Sequence, residues 1–158
     1  IEIFSKRLYD MHHPEIPALS HYVPAHEGPE DALTEKYPLQ LITWKGKNRA
    51  NSTQYANPWL QEAQTQKLWI NPLDAAPRGI KQGDKVRIHN DRGISMVPAE
   101  VTPRIIPGVV AMQAGAWWQP DADGVDHGGC ANVLSSTRIT PLAKGNSHQT
   151  MLVEVEKA

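Results

Sequence analysis

The segment 45–54, KGKNRANSTQ, concentrates side chains that bind phosphate groups and polar heterocycles. Lysine and arginine supply positive charge, whereas asparagine and serine supply neutral hydrogen-bond donors. The residues of this kind are Lys45, Lys47, Asn48, Arg49, Asn51 and Ser52. Their chemistry predicts a loop that binds an anion, although the same composition is also typical of a loop exposed to solvent.

A second segment rich in donors, KGNSHQ, occupies positions 144–149. Gly145 lacks a Cβ, so the backbone there can come close to a ligand. Asn132, beside the apolar pair Val133 and Leu134, is a third polar side chain that a rigid neighbourhood could hold. A closed fold could bring the two loops to one shared anionic ligand.

The bulk composition excludes several classes of function. The 158 residues suffice for one domain with a real core, and the 16 basic and 17 acidic residues leave no basic excess. Nucleic acid is therefore not expected as a partner. No apolar stretch approaches the length of a membrane span, which predicts no direct membrane insertion. We find no Walker loop, no Rossmann glycine motif and no set of nucleophile, base and acid.

The chain contains no convincing metal site. Cys130 is the single cysteine, so it forms neither an internal disulfide nor a metal site by itself. Four histidines (His12, His13, His21 and His26) lie near the N-terminus, but their spacing fits no usual ligand pattern. Asp121, Asp123 and Asp126 resemble a calcium loop that lacks its terminal glutamate. We interpret both groups as polar loops.

The stretch 68–101 predicts a compact unit of strands and turns. Leu68–Ile70 is a short apolar run typical of a buried strand, and Pro72 suits the first turn of a helix that Gly79 ends. Polar and apolar residues alternate over 85–89, and the segment 90–93 predicts a hairpin with residues that tolerate positive φ. The partner strand then covers 94–101.

The remaining elements are predicted to close around this unit. We expect strands at 1–9, 38–44, 109–112 and 151–156, a short helix at 57–62 that Asn57 caps, and irregular structure over 10–37 and 119–131. Thirteen prolines and eleven glycines favour short strands over long helices. The start, IEIFSK, looks like the middle of a strand, so we expect a piece of a larger protein. The result is a mainly β, barrel-like domain.

A series of motifs in matching order resembles the C-terminal domain of the dimethyl sulfoxide reductase family of molybdenum enzymes. These motifs are WINPLDAAPRGIKQGDKVRIHNDRG, VTPRIIPGVV, GAWWQPD, GGCANVL and LAKGNSHQT. The forms NSTQYANPWLQE and GGCANVL are most similar to the bacterial, membrane-associated, iron–sulfur-containing members. The resemblance implies a double-psi β-barrel with a six-stranded core and a few short helices, covering residues 38–158 and binding a molybdopterin dinucleotide. Residues 1–37 would contact domains outside this chain.

The same resemblance implies a role in a larger enzyme. The barrel would bind bis(molybdopterin guanine dinucleotide) molybdenum in a catalytic subunit that reduces sulfoxides or N-oxides during anaerobic respiration. An iron–sulfur cluster is expected in a missing N-terminal domain. The expected partners are the other domains, an iron–sulfur electron-transfer subunit and a membrane anchor subunit, on the periplasmic side of the bacterial inner membrane. The chain itself would carry no catalytic residue and no metal ligand, and would not be active alone.

The resemblance also assigns ten residues to cofactor binding: Thr43, Trp44, Lys45, Arg49, Asn51, Ser52, Asn132, Gly145, Asn146 and His148. Asp74, Gly79, Gly83, Asp84 and Gly93 are expected at turns and helix ends instead. Packing roles are expected for Trp117 and Trp118.

Two other functions remain open from the residues. A free-standing barrel of this fold could serve protein interaction or substrate recognition without a cofactor, although the donor-rich loops favour the cofactor. A self-processing decarboxylase on the same barrel would need a Gly-Ser processing site, and the sequence contains no Gly-Ser pair.

Overall fold

Six β-strands close into a barrel in a computed structural model that describes residues 2–147 and 149–158. The strands are β1 (Leu39–Trp44), β2 (Leu68–Ile70), β3 (Lys85–His89), β4 (Ile94–Val101), β5 (Val109–Gln113) and β6 (Met151–Lys157). Their order around the barrel is β1-β5-β2-β4-β3-β6. The pairs β1–β5 and β2–β4 are parallel, and the other four pairs are antiparallel. The predicted six-stranded double-psi barrel is confirmed.

The core lies inside the barrel because the strands alternate between buried and less buried positions. In β1, Leu39 and Leu41 are buried while Gln40 and Ile42 are more exposed. In β3, Val86 and Ile88 point inward in the same way. Each such side chain contributes about 1.5–3 kcal/mol when it leaves water. Alternation of this kind is clear in β1, β3 and β4, whereas β5 is buried at four consecutive positions. The observed bounds of β1 to β6 lie within one residue of the predicted ones.

The helices are short and end where their capping residues predict. They are α1 (Lys6–Asp10), α2 (Pro58–Ala63) and α3 (Pro72–Ala75), with 3-10 helices at Ala32–Glu35, Ala76–Arg78 and Ala131–Leu134. The side chain of Asn57 caps α2 by accepting from the amides of Trp59 and Leu60. Gly79 closes the 3-10 turn after α3 in the left-handed conformation, at φ 65°. No helix within the described residues combines the length and the apolar character that a membrane crossing requires.

The predicted strand at 1–9 is wrong. Residues 6–10 form α1, and the hydroxyl of Ser5 caps it by accepting from the amide of Leu8. Within residues 2–9, only Phe4 makes a β-bridge, to Leu19. An alternating pattern becomes a strand only where a neighbouring strand pairs with it, and the closed barrel offers no free edge here.

The irregular segment that follows α1 is attached to the barrel through Glu27. This carboxylate is 1% exposed and accepts from both terminal nitrogens of Arg92, at 2.8 and 2.7 Å. It also accepts from the amide of Leu152 in β6, at 3.0 Å. Glu27 has a φ of 54°, a strained value that this set of contacts holds. Glu27 therefore ties this segment to the barrel.

The hairpin between β3 and β4 differs from the prediction in its backbone. None of the residues 90–93 has a positive φ. Gly93 is needed for another reason, because a Cβ there would lie 2.8 Å from the carbonyl oxygen of Val133. The side chain of Asn90 accepts from the amide of Arg92 and so shapes the turn.

Candidate functional site

A cleft of about 580 Å³ opens beside the ends of β1 and β5. It is lined by four segments that are distant in sequence: the end of β1 with the following loop, the residues after β5, the 3-10 helix at 131–134, and the approach to β6. The lining residues are Thr43, Lys45, Asn51, Ser52, Ala114, Gly115, Ala116, Cys130, Ala131, Asn132, Ser135, Asn146 and Met151. As expected, loop 45–54 and loop 144–149 come together at this cleft.

Six of the ten predicted cofactor-binding residues line this cleft: Thr43, Lys45, Asn51, Ser52, Asn132 and Asn146. Lys45 is the only charged residue among the described lining residues, and none of them is a carboxylate. The cleft therefore presents one positive charge and several neutral hydroxyl and amide groups. Such a set favours an anionic, hydrogen-bonding ligand over a cation.

The loop after β1 is held against the segment that follows β5. Lys45 donates to the side-chain oxygen of Asn51, which itself has a positive φ of 53°. Gly115 packs so closely on this loop that a Cβ would overlap the carbonyl oxygen of Asn51. The indole of Trp117 donates to the carbonyl oxygen of Ser52 at 2.9 Å. These contacts fix the cleft wall that carries Lys45, Asn51 and Ser52.

Thr43 joins the other wall to the C-terminal segment. Its amide donates to the side-chain oxygen of Gln149 at 2.8 Å, and its hydroxyl accepts from the side-chain nitrogen of Gln149 at 2.8 Å. This reciprocal pair holds residues 149–151 beside the end of β1. Because Asn146 and Met151 lie on this segment, the pair also sets the width of the cleft.

Asn132 lies on the 3-10 helix at 131–134. Leu134, the last residue of this helix, anchors it. The carbonyl oxygen of Leu134 accepts from the side-chain amide of Asn90 at 2.9 Å and from Nη2 of Arg92 at 2.7 Å. Cys130 precedes the helix, and its side chain is half-buried in the cleft lining. Burial raises the pKa of the Cys130 thiol above its ordinary value, which disfavours the reactive thiolate.

Asp126 organises the loop that leads into this helix. Its carboxylate is fully buried and accepts four hydrogen bonds, from the amides of Gln119, Gly128 and Cys130 and from the hydroxyl of Ser95. The distances run from 2.7 to 3.0 Å. The three aspartates of this segment therefore do not form a calcium loop, and no group of three or more metal-ligating side chains occurs among the described residues.

Arg49, which the resemblance assigns to cofactor binding, does not line this cleft. Arg49 is 8% exposed. Its Nη2 donates to the side-chain oxygens of Gln66 and Gln113 at 3.1 and 3.2 Å. Its Cζ lies 5.1 Å from the centre of the Tyr55 ring. Burial lowers the pKa of Arg49, because the charged form loses its water.

Two further assignments fall outside the cleft, and a third cannot be placed. Trp44 packs on Trp69, with ring centres 5.2 Å apart, on another side of β1. Gly145 lies in a turn that hydrogen bonds with Thr140 close, and it does not reach the lining. His148 lies outside the described residues.

The two adjacent tryptophans, for which packing roles were expected, are both largely exposed. Trp117 is 49% exposed and Trp118 is 61% exposed, because residues 115–118 form a turn and an irregular segment where the alternation of a strand does not apply. Trp117 stacks on Tyr55 with ring centres 5.7 Å apart.

Sequence reasoning missed the lining residues that carry no strong chemical signal. Ser135 and Cys130 flank Asn132, and Ala114, Gly115 and Ala116 follow β5. Small residues before a tryptophan are a weak signal, and the close contact of Gly115 is evident only from the fold. Gln113 does not line the cleft but contacts Arg49, and it was missed because its residue type is ordinary at a strand end.

The donors of the cleft fit a dinucleotide. A pyrophosphate needs positive charge and N–H or O–H groups, which Lys45, Asn51 and Ser52 offer. A polar heterocycle needs amide groups that both donate and accept, which Asn132 and Asn146 offer. The side chain of Asn132 makes no hydrogen bond within residues 2–147 and 149–158, so its amide is available to a ligand.

Comparison with known proteins identifies similar sequences. A family model described as "Molydopterin dinucleotide binding domain" matches residues 39–152. The chain is 51% identical over 164 residues to "Dimethyl sulfoxide reductase DmsA" of Escherichia coli (strain K12), covering 99% of this chain and 20% of that protein. It is 43% identical over 135 residues to "Trimethylamine-N-oxide reductase" of Haemophilus influenzae, covering 79% and 16%.

A third relative is "Dimethyl sulfoxide/trimethylamine N-oxide reductase" of Rhodobacter capsulatus, 37% identical over 166 residues, which cover 99% of this chain and 20% of that protein. Among solved structures, acetylene hydratase from Pelobacter acetylenicus superposes with a TM-score of 0.76 at 14% identity, covering all of this chain and 23% of that one. That likeness shows the fold alone. The chain spans about a fifth of the length of the curated relatives it matches.

Proposed function

The chain belongs to the molydopterin dinucleotide binding domain family, and we propose that it is the cofactor-binding domain of a longer catalytic subunit that reduces sulfoxides or N-oxides. The names of its relatives support this substrate class, since they are dimethyl sulfoxide and trimethylamine N-oxide reductases. The resemblance in the sequence motifs is thereby confirmed at the level of the family.

The observation that carries the proposal is the cleft beside β1 and β5. Separate segments bring a lysine and several neutral donors together there, and no carboxylate lines it among the described residues. A buried phosphate or heterocycle needs such fixed donors, because each polar group that leaves water must find a partner. A barrel that served only protein interaction would not need this set of a lysine and neutral donors in one cleft.

We assign the residues of this chain to binding and orientation. Lys45, Asn51 and Ser52 hold the phosphate groups, and Asn132, Asn146 and Thr43 hydrogen bond to the heterocycles. When bound, bis(molybdopterin guanine dinucleotide) molybdenum supplies the two-electron chemistry that removes oxygen from the substrate. The amides of Asn132 and Asn146 stabilise one orientation of the ligand and tune its environment through hydrogen bonds.

The proposal extends to the assembly. An iron–sulfur cluster would lie in an earlier domain of the longer polypeptide, and residues 1–37 would contact such domains. An electron-transfer subunit with iron–sulfur centres and a membrane anchor subunit would complete the enzyme on the periplasmic side of the inner membrane. The similarity to Escherichia coli dimethyl sulfoxide reductase supports this arrangement.

The first test is elemental and nucleotide analysis of the full-length polypeptide, purified from a host that makes the cofactor. We expect molybdenum together with about two guanine nucleotides per metal atom. Neither molybdenum nor guanine in a correctly folded preparation would refute the proposal and favour a barrel that binds something else.

The second test is the substitution Asn132→Ala in the same polypeptide. We expect a lower cofactor content or a shifted midpoint potential of the metal, because the cleft loses its amide on the 3-10 helix. Thr137→Ala serves as the control, since Thr137 is exposed and lies outside the cleft lining. If Asn132→Ala leaves content, potential and rate at the values of the control, Asn132 is not a cofactor contact.

A further inference from the structure

Arg49 is a buried cation without a carboxylate partner. No carboxylate oxygen of the described residues lies within 4.0 Å of its guanidinium, so it forms no ion pair there. Its Nε and Nη1 are buried and have no hydrogen-bond acceptor among the same residues. A buried charge without an opposite charge is costly, and proteins normally pair it.

The two side chains that contact Arg49 are neutral amides, and their orientation is fixed. Gln113 is 1% exposed, and its side-chain nitrogen donates to Asn48 Oδ1 at 2.6 Å. The side-chain nitrogen of Gln66 donates to the carbonyl oxygens of Gln113 and Gly129 at 2.9 and 3.0 Å. Both amide oxygens therefore face the guanidinium. They accept hydrogen bonds from the guanidinium of Arg49 but do not neutralise its positive charge.

The surroundings of Gln113 are built for this contact. A Cβ at Gly46 would overlap the side-chain amide of Gln113, so glycine there leaves room for Gln113 in this position. Asn48, which accepts from Gln113, donates in turn to the carbonyl oxygen of Leu60 at 3.2 Å. The network thus connects β5, the loop after β1 and α2 around a single positive charge.

One buried carboxylate lies in the same region, but it serves other groups. Asp126 and Arg49 both act electrostatically on Tyr55, in opposite directions. All four hydrogen bonds of the Asp126 carboxylate go to Ser95, Gln119, Gly128 and Cys130. It makes no ion pair with Arg49, so the charge of Arg49 is not neutralised by contact.

The cleft and Arg49 share one loop, but Arg49 itself lines a separate cavity together with Tyr55 and Gln66. Asn51 and Ser52 line it, and they follow Arg49 by two and three residues. Because successive Cα atoms are about 3.8 Å apart, the Cα atoms of Asn51 and Ser52 lie within about 8 and 11 Å of the Cα atom of Arg49. Charges that are buried or partly buried are screened less than charges in water.

We propose that Arg49 contributes to anion binding in the cleft as a fixed positive charge whose counter-ion is the bound ligand. It does so without touching the ligand, and Gln66 and Gln113 preserve the effect because they are amides and not carboxylates. The expected ligand is an anion of the pyrophosphate type. Only its identification as a dinucleotide rests on the proposed function. A unit charge about 10 Å away, at an effective dielectric constant of about 20, corresponds to roughly a tenfold gain in affinity.

The decisive variant is Gln113→Glu, which places a carboxylate beside Arg49 with almost no change in shape. The full-length polypeptide would be produced in a host that cannot make the dinucleotide, and its affinity for GDP measured by calorimetry. We expect the dissociation constant to rise about tenfold, while the unfolding temperature stays equal or rises because Arg49 gains an ion pair. Because the new carboxylate also repels an anion directly, the Arg49 variants below are needed to assign the loss to the charge of Arg49.

Gln82→Glu is the matched control. It adds the same charge, and Gln82 likewise uses its side-chain oxygen to accept a hydrogen bond, from the amide of Val101 at 2.8 Å. Val101 pairs with Ile70 at the end of the barrel opposite to Gln113. We expect the control to bind GDP as the parent does.

A second pair of variants decides the question if Gln113→Glu does not fold. Arg49→Lys keeps the charge but loses the planar fork, whereas Arg49→Met loses both. The proposal predicts clearly tighter GDP binding in Arg49→Lys than in Arg49→Met. Equal affinities in these two, or an unchanged affinity in a folded Gln113→Glu, would overturn it.

Inorganic pyrophosphate separates this inference from the proposed function. A polypeptide that binds pyrophosphate with the expected dependence on Arg49, yet retains neither guanine nor molybdenum, would support the charge effect and refute the cofactor assignment. A folded parent that binds neither GDP nor pyrophosphate would overturn the charge effect itself.

Discussion

The carboxylate of Asp126 accepts a hydrogen bond from the backbone amide of Cys130 at 2.7 Å, and this contact sets the start of the 3-10 helix that carries Asn132. The same oxygen accepts from the hydroxyl of Ser95 in β4 at 2.9 Å. One buried charge therefore connects the barrel wall to the cleft-lining helix.

Asp126→Asn is expected to destabilise the chain by about 2–4 kcal/mol, because an amide nitrogen would replace an oxygen that faces the N–H of Cys130 or the N–H groups of Gln119 and Gly128. Urea unfolding followed by tryptophan fluorescence measures the change. Asp123→Asn is the control, since its exposed side chain accepts no such set of donors. Equal midpoints for the two variants would contradict a structural role for Asp126.

Gly115→Ala is expected to damage the cleft wall, because the new Cβ would overlap the carbonyl oxygen of Asn51. Gly124→Ala has a similar backbone conformation, with φ 80° against 89°, but nothing lies within 4 Å of its Cβ position. The control should cost about 1–2 kcal/mol from the left-handed conformation alone. We expect Gly115→Ala to cost at least about 2 kcal/mol more, from the steric overlap. Thermal unfolding compares them, and similar costs would show that the loop yields easily.

Lys45→Gln is expected to weaken GDP binding by about five- to tenfold in the cofactor-free full-length polypeptide, because Lys45 is the only charged residue among the described lining residues of the cleft. Lys47→Gln removes the same charge from the same loop but outside the lining, so its affinity should change little. The difference between the two should shrink as salt is added, since Lys45 is exposed and its charge is screened. Equal losses would indicate a general charge effect and not a contact.

Acid should reduce the stability that Asp84 provides. A hydrogen bond from Lys157 and one from the amide of Lys81 hold the pKa of Asp84 below its ordinary value of 3.8. A carboxylate with a lowered pKa in the folded state stabilises the fold above the unfolded pKa, and this contribution is lost as the pH falls through the folded pKa. The stability difference between the parent and Asp84→Asn should therefore be largest near neutral pH and shrink below about pH 4. Urea midpoints across this range test it, and a difference that does not change with pH would refute the assignment.

The sequence predicted the barrel strands well because alternation reports directly on which side of a strand is buried. Leu39 and Leu41 in β1, and Val86 and Ile88 in β3, show this pattern clearly. It failed at residues 6–10, where the same kind of pattern had no strand to pair with and the cap at Ser5 decided the structure. Local patterns predict a strand only when the fold supplies its neighbour.

The cleft was predictable in part for a similar reason. Composition identified Lys45, Asn51 and Ser52 as donors, and the resemblance added Asn132 and Asn146, all of which meet in the cleft. Composition does not reveal the side of the loop on which a side chain lies, so Arg49 was assigned to the ligand although it points to Gln66 and Gln113.

The position of β6 has a consequence for how the protein is made. Gln40 in β1 donates to the carbonyl oxygen of Met151, which lies 111 positions later, and β6 also closes the barrel against β3. On a ribosome that adds about 5–20 residues per second, the edges of β1 and β3 that pair with β6 stay unpaired for seconds. Open edges can pair with other strands, so the unfinished barrel is exposed to misassembly until β6 has been made. Since Asn146 and Met151 complete the cleft, loading of its ligand must follow translation of the domain.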